Sequence, residues 1–214
     1  MADRWTARGA LQVLAMAALL LGLLADPPVH AAGVGNADAN PDVANLPGLQ
    51  IDSSQSHAGF SVRVAWVRTL PGQFDHVVGA IDRQLKQATL SVDVRLATSS
   101  LSMADANHAA WAQSAEFFDG ANYPWVRFFA EGVPESLLLT GGDLSGQLSL
   151  RGITRKVTFS VQPSTCARPG IECQVEALGE LRRSDFGMQA RRFVVADKVR
   201  LSLLIRVREA VTTP

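Results

Sequence analysis

Residue types that carry out chemistry are thinly spread in this sequence. Past residue 31 three histidines remain, His57, His76 and His108. No two have the spacing of metal ligands, and none sits in a cysteine or carboxylate cluster, so no metal site is expected. No serine occupies a nucleophile elbow, no glycine-rich phosphate loop precedes a helix, and no Cys-x-x-Cys occurs. Asp52, Asp75, Asp82 and Asp93 fall in turns or on wet strand faces, with nothing pairing them as acid and base. These residue types form no visible catalytic or cofactor-binding constellation.

The positive charges are more informative. Arg151, Arg155 and Lys156 flank one turn, and Arg183, Arg191 and Arg192 flank another, around "SDFGMQA". Guanidinium forks suit phosphate or carboxylate oxygens. Brought to one end of a fold, these six residues would form a rim that attracts an anionic head group. The plainer reading, which outweighs it, is of ordinary solvated turn residues, or of partners of Asp185 and Glu180.

The elements that would carry them are mostly strands. In "GQLSLRGITRKVTFSV" a turn at Arg151-Gly152 separates Leu148 and Leu150 from Val157, Phe159 and Val161, each set on one face. "HAGFSVRVAWV" puts Ala58, Phe60, Val62, Val64 and Trp66 on one side. "TLSVDVRL" does the same with Leu90, Val92, Val94 and Leu96, and "DKVRLSLLIRVRE" with Val199, Leu201, Leu203, Ile205 and Val207. Period two marks strands with one buried and one wet face. With "ECQVEALGELRR" and residues 50–54, 74–82, 125–130 and 136–140, about eight or nine strands are expected. One Ala-rich segment, Met103 to Gly120, favours a helix capped by Asp105, with Trp111, Ala115 and Phe118 on one face. Many antiparallel strands with one short helix give a mainly β fold, a sandwich or a barrel. An apolar inner face serves a packed core or a ligand cavity equally well. If there is a cavity, its lining would include Phe60, Val62, Phe74, Val92, Val94, Trp111, Phe118, Phe128, Leu150, Phe159 and Leu203.

The N-terminus reads as a targeting segment. Arg4 and Arg8 precede an apolar run from Ala10 to Leu24, shorter than the roughly 20 residues that span a bilayer. Val29 and Ala31 then have the spacing of a cleavage site, so residues 1–31 are expected to be a cleavable signal peptide. No cysteine lies near that site to take a lipid. Residues 32–47 are small and polar and read as a flexible linker, which leaves 48–210 for the folded domain. Cleavage would remove Arg4, Arg8, Asp3 and Asp26, leaving the balance of the whole chain, where 20 Lys and Arg match 20 Asp and Glu. Neutrality argues against a nucleic-acid partner. Cys166 and Cys173, in "CARPGIEC", are expected to pair as a disulfide across a loop with Pro169-Gly170 at its tip.

"LSGQLSLRGITRKVTF" and "LRRSDFGM" resemble the YceI-like family of periplasmic proteins. The resemblance extends through "IDSSQSHAGFSV", "LPGQFDHVVGAI" and "SAEFFDGANYPWVRFFA", and so covers nearly all of residues 50–208. It departs from the family's pattern at Gln55, Val64, Trp111-Ala112 and Lys156. It implies a lipocalin-like antiparallel barrel of about eight strands in the periplasm. It also implies a binding protein and not an enzyme, with no cofactor: the barrel would hold a long-chain isoprenoid or similar amphiphile, with its polar head near the opening. A transient membrane contact and a homodimer are both compatible with that role. Two rival readings keep the barrel: a scavenger of lipophilic small molecules, and a stress or assembly factor whose filled barrel binds other proteins.

Overall fold

The computed structural model describes residues 48–209. The expected signal peptide and linker, residues 1–31 and 32–47, lie outside the described residues. Alternating apolar and polar side chains build one antiparallel sheet of twelve strands. In chain order they are β1 (Leu49–Ile51), β2 (His57–Val64), β3 (Arg68–Phe74), β4 (Val77–Gln84), β5 (Thr89–Ala97), β6 (Leu101–Met103), β7 (Trp125–Pro134), β8 (Gly142–Leu150), β9 (Ile153–Val161), β10 (Val175–Arg182), β11 (Val195–Ile205) and β12 (Val207–Glu209). Two short helices interrupt them, α1 (Ala106–Gln113) and α2 (Leu137–Thr140).

The strand order is β12-β1-β4-β5-β7-β8-β9-β10-β11-β2-β3-β6. Its edge strand β12 follows β11, an interior strand, after the single residue Arg206, and β1 precedes β2 by one turn. The edge is thus covalently tied to the interior, and the sheet curls on itself into a barrel-like shell. Ser56 sits at that junction, fully buried. Its Oγ accepts the Arg206 N–H at 2.9 Å and donates to the Arg206 carbonyl at 3.1 Å. One hydroxyl thereby satisfies both backbone groups where the strand bends and leaves its ladder.

Bending also explains part of the strand count. The expected strand over 74–82 is broken at Asp75 and His76, and that over 197–209 at Arg206; Leu101–Met103 adds a short strand. Part of the excess over the eight or so expected is thus one strand in two pieces, and part is new: β3, Arg68–Phe74, lies between two expected strands and was not anticipated.

Three expectations are corrected. The strand expected over 136–140 is instead helix α2, Leu137–Thr140, since a run of leucines has no alternation to hold it in a sheet. The helix expected to reach Gly120 stops after Gln113. Asp105 does cap it, accepting the N–H groups of Asn107 and His108 at 2.8 and 3.2 Å. At the other end Ser114 Oγ donates back to the Trp111 carbonyl, and the Phe118 N–H reaches the Ala112 carbonyl. The chain curls there and buries Phe117. Trp66, expected on the inner face of β2, instead lies at the tip of the β2–β3 turn, 73% exposed.

The inner face carries Val157, Phe159 and Val161 of β9 and Leu90, Val92 and Val94 of β5, all buried. The β8–β9 turn falls at Arg151-Gly152, where both residues take positive φ, 53° and 70°. Three phenylalanines lie across glycines of neighbouring strands. A Cβ on Gly72 would come 2.3 Å from the Phe60 ring, one on Gly146 2.5 Å from Phe128, and one on Gly179 2.8 Å from Phe159. Each glycine gives a ring room to lie flat inside a narrow barrel.

Candidate functional site

The barrel interior holds two cavities. The smaller, about 110 Å³, lies under α1 and the β2–β3 and β10–β11 connections. The larger, about 650 Å³, lies toward α2, β12 and the loop containing the cysteines. Val94, Phe128 and Leu203 line both. The Phe128 ring meets that of Phe159 edge-on, with centroids 5.0 Å apart. This pair narrows the barrel where the two cavities meet.

All eleven residues expected to line an interior face one cavity or the other. Phe60, Val62, Phe74, Val94, Trp111, Phe118, Phe128, Leu150, Phe159 and Leu203 border the smaller, and Val92 the larger. Phe60, Phe74 and Phe118 form a cluster with centroids 5.3 to 5.8 Å apart. Sequence reasoning missed most of the larger cavity. Its walls include Leu49, Ile81, Leu137, Leu138, Leu144 and Ile171. Several of these belong to α2 and to the cysteine loop, where no strand period marks an inner face. Its border also carries charge: Arg83, which pairs with Glu135 at 2.9 Å, and Arg168, which pairs with Glu172 at 2.8 Å.

The cysteine loop is held in place. Cys166 and Cys173 form a disulfide. The Gly170 carbonyl accepts the Val207 N–H at 2.8 Å, and Arg206 Nη2 donates to the Ile171 carbonyl at 2.9 Å. The loop that walls the larger cavity is therefore fastened to the same strand bend that closes the sheet.

The six cationic candidates do not form one rim. Arg183 is 3% exposed, in a 3-10 turn at Arg183–Phe186. Its Nε donates to the Ala196 carbonyl at 3.1 Å and its Nη2 to that of Val195 at 2.9 Å, while Nη1 donates to that of Met188. It also lines the smaller cavity and lies over the Phe117 ring, 5.8 Å from the centroid. Burial pushes its pKa below the usual guanidinium value, with the nearby Asp197 charge opposing. Arg151 Nη1 donates to the Phe117 carbonyl at 2.7 Å. Arg191 lies 3.6 Å from Glu116, which accepts the Trp111 indole N–H at 2.8 Å. These three arginines converge on the segment 111–118, which covers one end of the barrel. Arg155 and Lys156 are exposed on β9, and Arg192 lies over the Phe193 ring at 5.0 Å.

Among the described residues, no three His, Cys, Asp or Glu side chains gather where they could hold a metal ion. The lining of the smaller cavity is almost wholly aliphatic and aromatic; that of the larger is mainly so, with Arg83, Glu135, Ser136, Arg168 and Glu209 among its lining residues.

An antiparallel sheet curled around an apolar interior, with few helices, makes this a barrel-like β-protein. The chain belongs to the YceI-like family: residues 49–207 match the YceI-like domain. Similar solved structures include a polyisoprenoid binding domain from Saccharophagus degradans implicated in plant cell wall breakdown. It is 14% identical, with a TM-score of 0.59 over 77% of this chain and 99% of that one. BcnA of Burkholderia cenocepacia is 16% identical, with a TM-score of 0.57 over 74% and 99% of the two chains. The YCEI protein of Campylobacter jejuni is 18% identical, with a TM-score of 0.52 over 64% and 83%. At these identities the likeness is one of fold. No curated protein matches the chain.

Proposed function

We propose that this protein is a periplasmic carrier that holds an isoprenoid-type amphiphilic lipid inside its barrel and performs no catalysis. The observation that carries this reading is the apolar interior. A cavity of about 650 Å³ falls within the range of about 300–1,000 Å³ for small-molecule sites. The family, and the name of one structural neighbour as a polyisoprenoid binding domain, support it. Each methylene taken out of water contributes up to roughly 0.8 kcal/mol, offset by the ordering of the tail. The disulfide supports an oxidising compartment, and with the expected signal peptide it supports the periplasm.

Native mass spectrometry of the protein secreted to a periplasm and purified without detergent, followed by organic extraction, tests the cargo. A discrete bound mass of an isoprenoid is the expected result. A protein that stays empty after incubation with polyprenyl lipids would sink the reading. The large cavity argues against the rival with a filled barrel. A scavenger would instead take up many unrelated lipophiles weakly.

Arg151 and Arg183 already hold backbone carbonyls. Within the expected cationic set, Arg155 and Lys156 are both exposed on β9, on opposite faces of the strand, and are the candidates for contact with an anionic head. R155Q/K156Q should weaken a polyprenyl diphosphate more than a neutral polyprenyl quinone in a competition assay. Equal weakening of the two would remove these residues from the head-group site.

A further inference from the structure

Two neighbouring loops at the α1 end of the barrel expose large apolar side chains where solvent-facing turns normally carry polar ones. The β2–β3 turn presents Trp66 and Val67, 73% and 89% exposed, and the β10–β11 connection presents Phe193 and Val194, 76% and 50% exposed. The loops are joined: the Ala65 N–H donates to the Val194 carbonyl at 2.8 Å, and Val64 pairs with Val195. Ala65 and Trp66 both take positive φ, 49° and 64°, a conformation that glycine or asparagine adopts easily and tryptophan does not. A strained backbone thus holds an indole in water.

The two loops themselves carry charge of one sign. Residues 61–70 and 189–196 contain Arg63, Arg68, Arg191 and Arg192 and neither aspartate nor glutamate. From the packed elements, Glu116 pairs with Arg191 and Asp105 feels the charge of Arg68. Arg63 and Arg192 have no carboxylate partner among the described residues. Indole and phenyl groups beside arginines are the composition of protein surfaces that sit at lipid head groups. The location fits as well, because Val64, Leu70 and Val195, at the roots of the two loops, line the smaller cavity.

We infer that the Trp66–Val67 and Phe193–Val194 loops form a docking surface for an anionic phospholipid bilayer, with Arg63, Arg68 and Arg192 contacting the head-group phosphates. Docking there sets one end of the apolar interior against the membrane. The surface stands on these two loops, whatever the barrel carries.

Cosedimentation of the full-length chain with vesicles of phosphatidylcholine and phosphatidylglycerol in equal parts, against pure phosphatidylcholine, measures binding. Hydrogen–deuterium exchange on the same samples locates it independently of residues 1–47. Protection at 63–70 and 189–194 on the anionic vesicles is expected. W66A/F193S should abolish that protection. R63Q/R192Q, which leaves the apolar tips intact, should weaken binding roughly fivefold per arginine at low salt and much less at high salt. Protection that survives both variants, or that never appears in these loops, overturns the inference. So does a dimer, seen without vesicles by sedimentation velocity and dissolved by W66A/F193S, since the patch would then belong to a second copy. The vesicles contain no isoprenoid. Lost docking with a bound isoprenoid still present therefore refutes the surface alone, and the converse refutes the carrier alone.

Discussion

A guanidinium is costly to bury without an acidic partner, and Arg183 avoids most of that cost by facing three backbone carbonyls. Those carbonyls belong to Met188, Val195 and Ala196, so a single side chain ties its 3-10 turn to the start of β11. Replacing it with methionine keeps the bulk and leaves three buried acceptors unpaired, each costing about 1–3 kcal/mol. R183M should lower the unfolding free energy by several kcal/mol in urea titrations. R183K, which keeps the charge and loses the fork, should fall between. A variant as stable as the parent would show that water replaces the guanidinium. Arginine types near a "SDFGM" turn were legible in the sequence as a charged cluster. Their division of labour was not, because it depends on which carbonyls lie nearby in space.

At the scale of elements, the pairing of phenyl rings with glycines sets how closely strands and side chains pack at the waist. A Cβ at Gly146 would meet the Phe128 ring at 2.5 Å and the Phe129 carbonyl at 2.6 Å. On its other side the ring meets Phe159 edge-on, and the backbone carbonyl cannot give way. G146A should therefore destabilise the fold by about 1–3 kcal/mol, the scale of overpacking, read as a lower denaturation midpoint at unchanged m-value. No loss would mean the ring turns freely. Strand faces such as Val157-Phe159-Val161 were readable because period two is strict there. The same signal failed at Trp66, since alternation continues across a turn without marking where the strand ends. It failed at 136–140 because a leucine run carries no period. The larger cavity went unseen for the related reason that a helix and a loop build part of its wall.

Over the whole molecule, the described carboxylates with displaced titration all move the same way. Burial pushes Asp93 up, but hydrogen bonds from Arg127 and Arg95 and their charges outweigh it and hold its pKa below the ordinary 3.8. Backbone N–H groups lower Asp105, the side chain of Ser54 lowers Asp52, and Arg168 and Lys198 lower Glu172 and Glu180. A carboxylate held low in the folded state stabilises it fully above the unfolded value and ceases to do so as pH falls through the folded one. Stability should be flat from neutrality to about pH 5 and decline below it. D93N should make that decline shallower. Chemical denaturation across pH checks both, and a fold that gains stability on acidification would contradict them.

The sheet also dictates an order of assembly. Leu49 pairs with Glu209 and Ile51 with Val207, so the first and last described strands are neighbours. Most other neighbours are hairpins of residues close in sequence and can form early; β2 against β11 is the exception, and it joins the same two ends of the chain. The seam cannot form until the strand after Arg206 is available to meet β1. Closing it is the step of highest contact order in the fold, and such steps are slow. A chain crossing a membrane N-terminus first would remain an open sheet, unable to enclose any cargo, until its last strand had passed through.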